Sequence, residues 1–180
     1  MSKDLFNKDT LRKWISEIGG NGKIPVSAQE WIEALAHTIA VVRGAGRIER
    51  ASYEFQEMLW ERNGVADVGQ GNVSVGSAIN DANFRDWLAE RSMSPLPESS
   101  SERIDFLATL VEDIKAQLKE FVPSRMPQLK IFRVLAALYP EAMTTIADEG
   151  KLRKLAQLFT FERNLPAAGL HVRLFRRICG

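Results

Sequence analysis

The sequence holds one cysteine, Cys179, and two histidines, His37 and His171, in 180 residues. A single cysteine forms no intramolecular disulfide, and two separated histidines give no cluster with zinc-ligand spacing. That usage fits a reducing cytoplasm. An excess of charge of one sign is also missing, since 24 Lys and Arg stand against 23 Asp and Glu, a formal net charge of +1. A strongly basic whole-chain footprint for nucleic acid is therefore absent, and any such contact needs a local patch or a partner domain. Long apolar runs are absent too. None reaches the roughly 18–20 residues of a membrane span, and the opening MSKDLFNKDTLRKW has no apolar run of signal-peptide length, so no membrane contact is expected.

What is present is helical periodicity. Apolar residues make up 45% of the chain, enough for a real core, and charged residues 26%, too mixed in sign for wholesale disorder. Leu11, Trp14, Ile15 and Ile18 fall at i, i+3, i+4 and i+7 over Asn7 to Ile18, before Gly19-Gly20-Asn21-Gly22 stops that helix. Ser27 and Glu30 form a capping box for a helix to about Arg43, with Trp31, Leu35, Ile39 and Val42 on one face. A further helix over about Arg47 to Arg62 carries Ile48, Phe55, Met58 and Leu59 inward and ends at Asn63-Gly64. Val65 to Ile79 is glycine-rich and reads as an irregular loop or short hairpin. Asn80 or Asp81 caps a helix over Ala82 to Arg91.

SMSPLPESSS, from Ser92 to Ser101, has two prolines and five serines in ten residues and is the best linker candidate. It divides an amino-terminal helical region, 1–92, from a second, 102–161, and 162–180 is a basic tail. One continuous domain, with the linker as an ordered surface loop, is the alternative. The longest helix runs from about Glu102 to Phe121 on a seam of Ile104, Leu107, Val111, Ile114, Leu118 and Phe121. Pro123 and Pro127 separate it from a helix that is apolar almost all round, Leu129 to Tyr139, closed by Pro140. Thr144, Thr145 and Asp148 offer cap chemistry before a last clear helix on Leu152, Leu155, Leu158 and Phe159. The tail reads as a weak helix or an unstructured segment. The fold class expected is all-α, an irregular bundle of eight or so helices with one glycine-rich loop or short hairpin.

Candidate chemistry is sparse. Gly71 to Ser77 has the glycine spacing of a phosphate-binding loop, but Ser77-Ala78 stands where Lys followed by Ser or Thr must stand, so a glycine-rich turn is the better reading. Glu112-Asp113 lies on the seam helix and reads as its solvated edge, while Asp148-Glu149 sits at a helix start, where negative charge meets the helix dipole favourably. His37, among Ala, Ile and Val, reads as partly buried, and the tryptophans Trp14, Trp31, Trp60 and Trp87 as core anchors. No catalytic, cofactor-binding or metal-ligating residue is expected. One basic clustering remains, Arg125, Lys130, Arg133, Lys151, Arg153 and Lys154, with the arginines of the tail behind it. Around two helix starts these side chains are candidates for phosphate or partner contact. Glu141, Asp148 and Glu149 interrupt them, and solvated helix faces look the same.

Three pieces together resemble a known family. They are VADVGQGNVSV from Val65, FRDWLAERS from Phe84 with Pro95-Leu96-Pro97, and LKIFRVLAALYP from Leu129 followed by Thr144-Thr145-Ile146 and Lys151-Leu152-Arg153-Lys154-Leu155. This arrangement is similar to the helical region upstream of the AAA+ motor in McrB-like proteins of modification-dependent restriction systems, over roughly Leu59 to Phe161. The resemblance implies an all-α accessory or targeting segment, cytoplasmic, that engages DNA or a partner such as the AAA+ motor or a nuclease subunit. Walker A, Walker B and sensor residues are absent, so no nucleotide-binding residue is carried over and no enzyme activity is implied. The expectation is the upstream part alone, from a truncated or split gene, with Leu170 to Gly180 a candidate read-through. A stand-alone helical protein-interaction module is the alternative.

Overall fold

The computed structural model describes residues 26–62, 65, 73–159, 161 and 164–179, with side chains from Gln29 onward. Nine α-helices and no strand occur among the described residues: α1 (Val26–Gly44), α2 (Arg47–Arg50), α3 (Tyr53–Glu57), α4 (Gly76–Asn80), α5 (Ala82–Ser92), α6 (Ser100–Lys119), α7 (Gln128–Leu138), α8 (Glu149–Leu158) and α9 (Ala167–Cys179). The all-α bundle is as expected. The helix over Asn7 to Ile18, the Ser27 side chain of the capping box and most of the glycine-rich loop lie outside the described residues.

Local chemistry starts and stops these helices. Asp81 accepts a hydrogen bond from Phe84 N, Ser99 from Glu102 N and Asp148 from Lys151 N, so α5, α6 and α8 each begin on a side-chain cap. The Ser99 hydroxyl also meets the Glu102 carboxylate at 2.6 Å, which locks the first turn of α6. Pro127 occupies the N-cap position of α7 and Tyr139 ends it, one residue before Pro140.

The main core is continuous across the serine- and proline-rich segment. Phe84 and Leu88 from α5 share it with Leu107, Leu110, Ile114 and Leu118 from α6 and with Ile131, Phe132, Val134 and Leu135 from α7. At one end Phe84 lies 6.4 Å from the Trp60 ring, 6.0 Å from Trp87 and 6.1 Å from Phe121, an aromatic knot joining α5 to the end of α6. Helix α7 is buried on nearly every side, as its all-round apolar pattern predicts.

Two expectations are corrected. The helix foreseen over Arg47 to Arg62 breaks at Ala51-Ser52, where Ser52 caps α3, and it ends in a π turn, Met58–Arg62. Ile48 is consequently 85% exposed, because Arg50 takes the inward position. Its guanidinium donates to Val42 O (2.7 Å), Ala45 O (3.0 Å) and Ser92 O (2.7 Å), carbonyls at the C-terminal ends of α1 and α5. A cation there meets the negative ends of two helix dipoles, and burial lowers its pKa from the usual arginine value. His37, in turn, is exposed on α1, where Thr38 and Val42 are the side chains buried outright among the described residues.

The C-terminal segment resolves the choice between weak helix and unstructured tail. Helix α9 packs against α6 and α8 and buries Ala168, Leu170, His171, Val172 and Leu174. Gly169 allows the close approach, since a Cβ there would sit 3.1 Å from Ile104 Cγ2.

Candidate functional site: the basic residues and the cavities beside them

Helix α7 buries one of its two cations fully and the other in part. Lys130 is 1% exposed, and its ammonium meets Glu61 Oε2 at 2.6 Å. The π turn carries Glu61 to this position, and the same carboxylate accepts from Val75 N at 2.6 Å and from the Ser74 hydroxyl at 3.1 Å. Glu61 thus ties the exit of the glycine-rich segment to α7. A phosphate-binding lysine is not available here, because the ammonium is already paired and desolvated. Arg133, one position past Phe132, lies over the Trp31 ring at 4.6 Å and fastens α1 to α7 by a cation–π contact. Its Nε is buried without a hydrogen-bond partner, and burial lowers its pKa.

The other four expected residues divide. Arg125, Lys151 and Lys154 are exposed. Arg153 is half-buried, with its guanidinium on Glu149 Oε1 at 2.6 Å and on Leu165 O at 3.3 Å. The six residues are therefore not one patch. Arg125 and Lys130 reach a cavity of about 370 Å3 between the starts of α7 and α8, together with Asp148 and Glu149. Arg153 reaches a neighbouring cavity of about 260 Å3 floored by Phe132 and Ala168. Gln128 and Glu149 line both, and the 2.8 Å hydrogen bond from Gln128 Nε2 to Glu149 Oε2 is the wall between them.

The acids of the region are engaged. Asp148 caps α8, Glu112 pairs with Lys115 at 2.8 Å, and Asp113 pairs with Arg91. Glu112 is the solvated edge the sequence predicts, whereas Asp113 is half-buried and joins α6 to α5. No group of His, Cys, Asp and Glu able to hold a metal occurs among the described residues.

Thr144, expected as a cap, instead meets His171 Nδ1 at 2.7 Å. His171 is fully buried with its ring 5.3 Å from Phe132, and its Nε2 has no partner. Burial alone lowers its pKa to about 4, so the imidazole is neutral at physiological pH. His171 thereby pins α9 to α7 and to the segment before α8. Burial likewise raises the Tyr139 hydroxyl to about 12, and that hydroxyl donates to Arg91 O.

Sequence reasoning passed over two participants. Nothing in the sequence points from Glu61 to Lys130, which are joined only by the tertiary fold. The orientation of α9 did leave a signal: Leu170 and Leu174 repeat at i, i+4, with Arg173 and Arg177 repeating beside them. On the described helix those arginines and Arg176 are exposed.

Charge is segregated along the chain. Residues 150–180 carry seven basic side chains against the single acid Glu162, a net +6, while residues 1–149 carry 17 basic against 22 acidic, a net −5. No described helix is long and apolar enough to cross a membrane. No family model, curated protein or solved structure matches the chain.

Proposed function

We propose that this chain is a non-catalytic accessory or targeting segment of a McrB-like AAA+ restriction or defence protein, engaging DNA or a partner subunit in the cytoplasm. The observation that carries the reading is the segregation of charge, a net +6 over residues 150–180 on a body of net −5. A basic segment on an otherwise acidic chain draws a polyanion to that segment. The non-catalytic part is supported by the acids of the two cavities beside α7: Asp148 holds a helix end, Glu149 holds Arg153 and Gln128, and Glu112 holds Lys115.

The test has two arms. Duplex DNA is titrated into the full chain at stepped salt, and the chain is used as bait for a McrB-like AAA+ protein. Salt-dependent DNA binding or a stoichiometric complex with the motor supports the proposal, and failure of both removes it. A stand-alone protein-interaction module is the second reading. Ile48, at 85% exposure, is the aliphatic side chain such a contact would bury most fully. Ile48→Glu would then abolish capture of the partner and leave DNA binding unchanged.

A further inference from the structure

We infer that the outer face of the α8–α9 pair is the DNA-contacting surface, with Lys151, Lys154 and Arg173 meeting phosphates of the duplex backbone. The inference rests on the DNA arm of the proposed function and specifies where the contact lies and what it reads.

Packing sets the face. Helices α8 and α9 join through Leu152, Ala156, Leu170 and Leu174, with Leu155 and Phe159 against the same small core. With those apolar residues turned inward, Lys151 and Lys154, one helical turn apart, are left exposed on α8 and Arg173 on α9. None of these three forms an ion pair among the described residues, in contrast to Lys130, Arg91, Lys115 and Arg153. Arg153 and Arg176 are committed nearby, to Glu149 and to the Ser100 hydroxyl. Among the described residues, Lys151, Lys154 and Arg173 are exposed cations of the basic segment that no carboxylate answers.

The occupant follows from charge and from what the face lacks. A helix that lies on a lipid surface inserts an apolar face. Here Leu152, Ala156, Leu170 and Leu174 are in the core, Phe175 and Ile178 are partly buried, and Leu158 is the one large hydrophobic residue of the pair that is exposed. A face with ammonium and guanidinium groups and little apolar area suits phosphates, which Lys and Arg bind by charge and hydrogen bonds. Such contacts position a duplex and carry no base information. Binding is therefore expected to be indifferent to sequence and to base modification, so any selection of modified DNA falls to another part of the system.

The test is fluorescence anisotropy of a short labelled duplex with the full chain over a series of salt concentrations. Three phosphate contacts give a slope of log K against log salt of about −3. Lys151→Gln, Lys154→Gln and Arg173→Gln each reduce that slope by about one and weaken binding to methylated and unmethylated duplex alike. The triple variant loses binding while its urea midpoint stays at the wild-type value, and Arg125→Gln leaves the slope unchanged. Wild-type binding that survives the triple substitution overturns the assignment of this face and leaves DNA engagement standing. No wild-type binding at low salt overturns the DNA arm of the proposed function together with this inference. Equal affinity for a polyglutamate of similar length, or for anionic vesicles, overturns the choice of DNA as occupant.

Discussion

Helix α7 and the α8–α9 pair carry the same residue types and use them in opposite ways. On α7 the cations serve the fold: Lys130 closes on Glu61, and Arg133 lies under Trp31. On α8 and α9 the apolar residues serve the fold and Lys151, Lys154 and Arg173 stay in water. The difference comes from what surrounds each helix. Helix α7 is enclosed on nearly all sides, so its cations are held within the fold, Lys130 by a carboxylate and Arg133 by an aromatic ring. Helices α8 and α9 each bury a stripe, and the rest of their circumference is open. A basic residue in the sequence thus says little about surface charge until the burial of its helix is known.

The sharpest way to break this contrast is Lys130→Met. It leaves the partly buried Glu61 without its ammonium, and a cost of about 3–5 kcal/mol in urea unfolding is expected, with Glu61→Gln restoring part of it in the double variant. An effect below about 1 kcal/mol would place Lys130 with the surface cations. Arg50→Met comes next, at about 3 kcal/mol by the same measurement, because four hydrogen bonds to Val42, Ala45 and Ser92 are lost together.

His171 extends the comparison to pH. Its pKa is about 4 in the folded chain and about 6.5 unfolded, so below pH 6.5 the unfolded chain takes up a proton that the folded chain refuses. Stability from this group is fully present above about pH 6.5 and is lost as the pH falls toward 4, by about 3 kcal/mol in all. An NMR titration of the His171 ring with a midpoint near 4 agrees, and a midpoint at or above 6 contradicts its enclosure. Trp31→Ala removes the ring over Arg133 and is expected to cost about 1 kcal/mol and to raise hydrogen exchange in α1 before the rest of the fold. Smallest of all, Lys154→Gln is expected to stay within about 0.5 kcal/mol of wild type, as an exposed residue with no ion pair among the described residues.

These contrasts also mark how far the sequence could be read. The helical class, the α6 seam, the enclosure of α7 and the caps Asp81 and Asp148 are written locally, in spacings of three and four and in single side chains beside a helix start. The position of Lys130 is not local. Its partner lies 69 residues away, so the lysine looked like a member of a surface cluster. Ile48 was misplaced because its periodicity continues through Ala51-Ser52, where the chain turns and Arg50 takes the interior. In the candidate site, Lys151 and Lys154 were legible as exposed cations. The helix that carries Arg173 was not, since the arginines of the last segment hid the apolar stripe on which α9 folds back.

The contrast between buried and open lysines is tested most directly by pulsed acylation of native protein, read lysine by lysine by mass spectrometry. Lys151 and Lys154 are expected to react at the rate of a model peptide and to slow when duplex DNA is bound. Lys130 is expected to react only at the rate of unfolding. Labelling of Lys130 in the native chain as fast as Lys154 would contradict the account.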